Sequence, residues 1–129
     1  MYTLSDQIKL ARHGAAANPF QGPDKRVLFV CSMGILRSAT AARMYAYKYN
    51  TRAAGTYDEA LIQITPLLVE WADEIVFVNA SNFEAIRYIP EYVPLLAERS
   101  VKVLDIPDQY EHGHPQLVAA FEEQYEELL

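Results

Sequence analysis

Val27-Leu28-Phe29-Val30 is an uninterrupted apolar run, too short for a helix and the right length for a strand covered on both faces. A stretch with helical spacing follows it, Ser38 to Tyr49, with Ala41, Met44, Tyr45 and Tyr49 on one side. The alternation then repeats. Arg52–Thr56 reads as a short second strand, Glu74–Val78 as a third and Val101–Leu104 as a fourth. Thr65-Pro66, a cap followed by proline, opens a helix that turns Leu67, Leu68 and Trp71 inward. Ser81-Asn82-Phe83-Glu84 has the form of a capping box, opening a helix that must stop near Pro90. Pro115 opens a last helix with Leu117, Val118, Phe121, Tyr125 and Leu128 along one side. Buried strands alternating with helices predict an α/β fold: a single three-layer domain, a four-stranded parallel sheet with helices on both faces. Such sheets bind ligands beyond the carboxyl ends of their strands, and Cys31 stands just past the first strand.

The domain is expected to occupy residues 26–129. Residues 1–25 read as an N-terminal extension: a short helix with Leu4, Ile8, Ala11 and Ala15 on one face, then a linker rich in Pro and Gly. A chain of 129 residues, 51% hydrophobic and 22% charged, can bury a real core but leaves little room for a second domain. The eleven Lys and Arg are scattered and the net charge is −6, which argues against nucleic acid and anionic membranes as partners. Solubility accounts for that charge, and an anionic ligand stays open because a local site can be positive on a negative protein. No run approaches the roughly 20 apolar residues of a membrane span, and the N-terminus lacks the apolar stretch of a signal peptide. One cysteine makes neither an internal disulfide nor a thiolate cluster. A cytoplasmic location is the expectation.

The informative stretch is Cys31-Ser32-Met33-Gly34-Ile35-Leu36-Arg37-Ser38, running from strand through loop into helix. A loop in that position can curl its backbone N–H groups toward one centre, and the helix that follows adds the positive end of its dipole. Gly34 can take a positive φ. Arg37, six residues after the cysteine, can return at the first helical turn and grip two oxygens of an anion in a planar fork. The same field favours a thiolate, and so a nucleophilic Cys31, to whose sulfur Ser38 can donate a hydrogen bond. The bland alternative is a cysteine that ends a buried strand and an arginine on a solvated helix face, since so short a motif recurs by chance. Its place at a strand-to-helix turn favours the first reading.

The stretch Val30 to Ser38 resembles the phosphate loop of the low-molecular-weight protein tyrosine phosphatases. Asp105-Ile106-Pro107-Asp108-Gln109-Tyr110 resembles the family's Asp-Pro-Tyr segment. Ala54-Gly55-Thr56 and Trp71–Val78 are similar to segments of a compact bacterial branch of that family, in the same order along residues 26–129. The resemblance implies the low-molecular-weight phosphatase fold and a phosphatase acting on phosphotyrosine or another aryl phosphomonoester. Cys31 would attack phosphorus. The loop residues Ser32, Met33, Gly34, Ile35, Leu36 and Ser38, together with Arg37, would hold the phosphate, and Asp108 would act as general acid. Tyr110 would pack on the substrate ring at the pocket mouth. The partner would be a phosphorylated protein or a small phosphomonoester, with no metal and no cofactor.

Several positions depart from the family pattern. Gly34 stands where an asparagine usually braces the loop, Leu36 where many relatives have a second cysteine, Ala39 and Gln109 where they have proline. Glycine is expected to leave the loop looser. Three other readings use the same loop: arsenate reduction with an external thiol, a phosphocarrier, and a weakened enzyme that mainly binds phosphorylated partners. Asp105 competes with Asp108 for the acid role, with loop-amide bonding as its alternative task. His112 and His114 are weak evidence for a metal, and His114 before Pro115 is expected to cap the last helix. His13 reads as a surface residue of the extension. Glu122, Glu123, Glu126 and Glu127 read as a solvated face.

Overall fold

The computed structural model describes residues 24–34, 36–60, 62–110 and 112–126. The expected helix and linker before Asp24, with His13, lie outside these residues, as do Ile35, Glu127 and Leu128. Four strands, β1 (Arg26–Cys31), β2 (Asn50–Gly55), β3 (Glu74–Phe77) and β4 (Ser100–Val103), form one parallel sheet in the order β2-β1-β3-β4. The described helices are α1 (Arg37–Met44), α2 (Pro66–Trp71), α3 (Ala80–Ile86), α4 (Val93–Ala97) and α5 (Pro115–Gln124).

Side chains alternate along a strand, and the apolar residues of β1 divide accordingly. Leu28 and Val30 join Ile75, Phe77, Leu68, Trp71, Ile86 and Leu96 on the face covered by α2, α3 and α4. Val27, Phe29 and Cys31 join Val76, Ala41, Tyr45, Leu117, Phe121 and Tyr125 on the face covered by α1 and α5. The three-layer arrangement expected from the sequence is the one observed. Among the described residues no helix is long and apolar enough to cross a membrane.

Several boundaries differ from the sequence reading. β2 starts at Asn50 and ends at Gly55, and its polar Asn50, Thr51 and Arg52 are all buried. The first helix ends at Met44, where helical spacing had suggested Tyr49. A parallel partner must start level with Arg26, so the crossover has to return the roughly 20 Å climbed by β1. Eight helical residues cover about 12 Å, and Tyr45–Tyr49 supply the remainder as turns. The capping box at Ser81 does not form. Asn79 is the N-cap, its Oδ1 accepting from the Ser81 N–H at 3.0 Å, while Glu84 pairs with Arg87 at 2.7 Å instead of reaching back. Thr65 and His114 cap α2 and α5 as expected, accepting from the N–H groups of Leu68 and Gln116.

At the amino ends of the strands sits a buried carboxylate, Glu74, 1% exposed. It accepts from the Tyr125 hydroxyl at 2.8 Å and pairs with Lys102 at 2.7 Å and Lys25 at 3.5 Å. Burial alone would raise its pKa. The hydrogen bonds from Lys102 and Tyr125 and the charge of Lys25 outweigh that and hold it below its ordinary value. A depressed carboxyl stabilises the fold above its ordinary titration range and loses that contribution as pH falls through the folded value. Glu74→Gln is therefore expected to cost about 3 kcal/mol at neutral pH, with the deficit shrinking in acid. Urea unfolding of both proteins across the acid range checks this; parallel curves at a fixed separation would contradict it.

Candidate active site

In the order β2-β1-β3-β4 the chain leaves β1 toward one side and returns to β3 on the other, which makes the carboxyl ends of β1 and β3 the switch point where sheets of this kind bind ligands. Cys31 ends β1 and Arg37 begins α1, so the loop between them lies at this switch point. Cys31 is buried, with Sγ 3.0 Å from Ser38 Oγ in a hydrogen bond and the Gly34 N–H donating to the sulfur at 3.2 Å. No side chain caps the N-terminus of α1 and no acidic residue stands in its first turn, so nothing described there competes with an anion for its first N–H groups.

Arg37 is 2% exposed. Its Nη1 donates to the Ile106 carbonyl at 2.9 Å and its Nη2 to Ser32 Oγ at 3.1 Å. Nε has no hydrogen-bond partner among the described residues; the nearest charge is Asp108 Oδ1 at 3.6 Å, beyond hydrogen-bond range. A buried guanidinium with an open N–H is costly unless something anionic completes it. The Asp108 side chain is about half exposed. Asp105 is also exposed, but its backbone exchanges two hydrogen bonds with the Gln124 amide in α5, at 2.7 and 3.0 Å. Among the described residues its carboxylate makes no bond to the loop amides. Of the two candidates, the structure brings Asp108 to Arg37.

Gly34 has φ +75°, and a Cβ there would stand 2.8 Å from the Gly55 N and 2.9 Å from the Ala54 carbonyl carbon. Gly55 is equally constrained, since its Cβ would meet the Ser32 carbonyl oxygen at 2.4 Å. The loop therefore lies backbone on backbone against the end of β2. It is stitched there by N–H donation from Thr56 to the Cys31 carbonyl and from Tyr57 to the Ser32 carbonyl, both at 3.0 Å. The expectation that glycine loosens the loop overlooked this contact.

Ser32, Gly34 and Ser38 are buried in or beside the loop, with Met33 and Leu36 partly exposed; Ile35 lies outside the described residues. Tyr110 is half-buried against the α1–α5 core, its ring 5.5 Å from that of His114, whose Nδ1 is committed to the helix cap. His112 is exposed. Sequence reasoning missed Thr40, Asn79 and Asn82. Thr40 Oγ1 donates to the Leu36 carbonyl at 2.7 Å and accepts from the Gly113 N–H at 2.9 Å, which ties the Asp108 segment to the loop. Asn82 reaches Ser32, and Asn79 approaches the Ile106 carbonyl at 3.5 Å. Thr40 carried no sequence signal beyond a polar residue in an Ala-rich helix, and the presumed capping box disguised Asn82.

No family model and no curated protein matches the chain. Among solved structures it is similar to a thioredoxin-dependent arsenate reductase of Corynebacterium glutamicum, with a TM-score of 0.52 and 13% identity. The match covers 92% of this chain and 64% of that one, so the chain spans less than two thirds of the reductase's length. At that identity the likeness carries the fold. The protein shares with that reductase a fold built on a four-stranded parallel sheet covered by helices on both faces.

The Gly34–Gly55 contact generates a prediction. Gly34→Asn, although asparagine tolerates a positive φ, forces its Cβ against the backbone of β2 and is expected to destabilise the protein by about 1–3 kcal/mol. A thermal melt reads it; an unchanged or raised midpoint would mean that the loop is free to move off β2.

Proposed function

We propose that the protein is an enzyme of tetrahedral oxyanions in which Cys31 is the nucleophile and the loop to Arg37 the cradle. The supporting observation is the open, buried Nε–H of Arg37 in the same loop as the cysteine sulfur. In the phosphatase form, the Cys31 thiolate attacks phosphorus in line and the ester P–O bond breaks. Asp108 gives its proton to the leaving oxygen, and Arg37 with the loop amides carries the charge on the equatorial oxygens. Water then attacks the phosphocysteine, Asp108 takes up its proton, and inorganic phosphate leaves. The preference for an aryl ester rests on the family resemblance and Tyr110.

The similar solved structure favours a second reading, arsenate reduction on the same loop. With one cysteine in the 129 residues, the reducing equivalents would come from an external thiol. Cys31 attacks arsenic(V), expelling water. A first thiol attacks the Cys31 sulfur, the S–As electron pair passes to arsenic to give arsenite, and a mixed disulfide remains. A second thiol then restores Cys31, releasing the external disulfide.

One pair of assays separates the readings: phosphate release from an aryl phosphate, and arsenate-dependent oxidation of a supplied dithiol, each with wild type and Cys31→Ser. Cys31→Ser abolishes whichever reaction is native, and absence of both reactions in wild type overturns the proposal. Arg37→Lys keeps the charge but loses the fork, and a loss of about 100-fold in that reaction is expected; near-normal turnover would remove Arg37 from the site.

The acid is tested by leaving group. A phenol such as tyrosine, with a pKa of about 10, leaves poorly without a proton. Asp108→Asn should slow phosphotyrosine hydrolysis by about 100-fold or more, and hydrolysis of an ester with an acidic phenol much less. Asp105→Asn should treat the two substrates alike. The opposite pattern in single-turnover phosphorylation of Cys31 would transfer the acid role to Asp105.

A further inference from the structure

Asn82 takes no part in the chemistry above, yet it is 1% exposed on the first turn of α3 and its side chain reaches the loop after β1. Its Nδ2 donates to Ser32 Oγ at 3.3 Å, and the same oxygen accepts from Arg37 Nη2 at 3.1 Å. A serine hydroxyl has two lone pairs and one proton, so two donors converging on it fill both acceptor positions and stop it from rotating. The contact survives either orientation of the amide: with its oxygen turned toward Ser32, Asn82 would accept the hydroxyl proton instead. The other prong of the fork has a similar arrangement, since the Ile106 carbonyl that accepts from Arg37 Nη1 is itself approached by Asn79 Nδ2. Each prong of the Arg37 fork therefore rests on an acceptor that a side chain from the N-terminal end of α3 also contacts.

Asn82 also carries a cost. Its Oδ1 is buried and has no hydrogen-bond partner among the described residues, a penalty that an apolar residue of the same size would not incur. The side chain is poorly suited to core packing and well suited to one task, reaching Ser32.

We propose that Asn82 is a positioning residue: by fixing the Ser32 hydroxyl it holds the Arg37 fork in the plane an oxyanion requires. It performs for this loop, from α3, the bracing that a side chain at Gly34 cannot supply in the space available. The inference rests on the reading of the Cys31–Arg37 loop as an oxyanion cradle.

The test separates binding from stability. Asn82→Leu keeps the forked outline of the side chain, though with bulkier tips, while removing both the hydrogen bond to Ser32 and the unpartnered oxygen. A residue that merely supports the fold gives a variant whose stability and anion affinity fall together. A positioning residue gives a variant as stable as wild type, or more so, in urea unfolding, whose affinity for inorganic phosphate, read as protection of Cys31 against iodoacetamide, falls about tenfold. Because Asn82 acts through Ser32, the same substitution in a Ser32→Ala background should cost no further affinity. Asn82→Ala runs the same cycle should the leucine variant not fold. Unchanged phosphate affinity, or the same tenfold loss with and without Ser32, overturns the assignment and leaves the cradle reading intact. Failure of phosphate to protect Cys31 in wild type overturns the cradle reading and this inference with it.

Discussion

Arg37 brings a full positive charge into a protein interior, and the arrangement at the carboxyl ends of the strands follows from how that charge is accommodated. A guanidinium cannot shed its proton to avoid the cost of burial, so it must be met by acceptors in fixed directions. The Ile106 carbonyl meets one prong, which requires the chain leaving β4 to cross over the loop that follows β1. Ser32 meets the other, which requires the loop to curl back on itself. That curl in turn needs the positive φ of Gly34 and the absence of a side chain on Gly55. One side chain thus dictates the path of three segments far apart in sequence.

Glu74, at the opposite ends of the strands, is an instructive contrast. It is as deeply buried, and Lys102, Lys25 and Tyr125 all converge on its carboxylate. Burial and the bond to Glu74 push the Tyr125 hydroxyl above its ordinary pKa, so it remains a donor. This network is closed by the protein's own side chains and behaves as structure. Arg37 is held by the same kinds of bond, but its Nε makes no hydrogen bond among the described residues and faces only the half-exposed Asp108 carboxylate at 3.6 Å. The two buried charges thus differ: one is enclosed by hydrogen-bonded partners, and the other, at the end of the sheet where the candidate site lies, has a donor without a hydrogen bond.

The sequence showed the sheet more clearly than the network around the site. β1 and β3 are legible because continuous apolar runs admit few alternatives, and Thr65-Pro66 and His114-Pro115 announce their helices through local chemistry. β2 was blurred because half of it is polar: Asn50, Thr51 and Arg52 are buried by tertiary contacts, among them the Thr51 hydroxyl donating to the Ala42 carbonyl at 2.7 Å and Arg52 lying over Trp71. Ser81 and Glu84 match a capping box in spacing, yet Asn79 beside them is an equally good cap, and Glu84 finds Arg87 first. The loop itself could be read as a motif because its residues are contiguous. Asn82 and Thr40 could not, since each acquires its role from a partner dozens of residues away.

The segment that carries Asp108 is fastened at both ends. Ile106 is bound through its N–H to the Val78 carbonyl and through its own carbonyl to Arg37, while the Gly113 N–H is held by Thr40. The described residues between these anchors, 107–110 and 112, therefore sit on a short tether, which keeps the Asp108 carboxylate near Arg37. Confinement of this kind acts as a high local concentration of the group it carries. Were Asp108 the proton donor of the proposed reaction, it would stand within reach before a ligand arrived, and the ordering that a mobile lid requires at each turnover would have been completed once, when the chain folded.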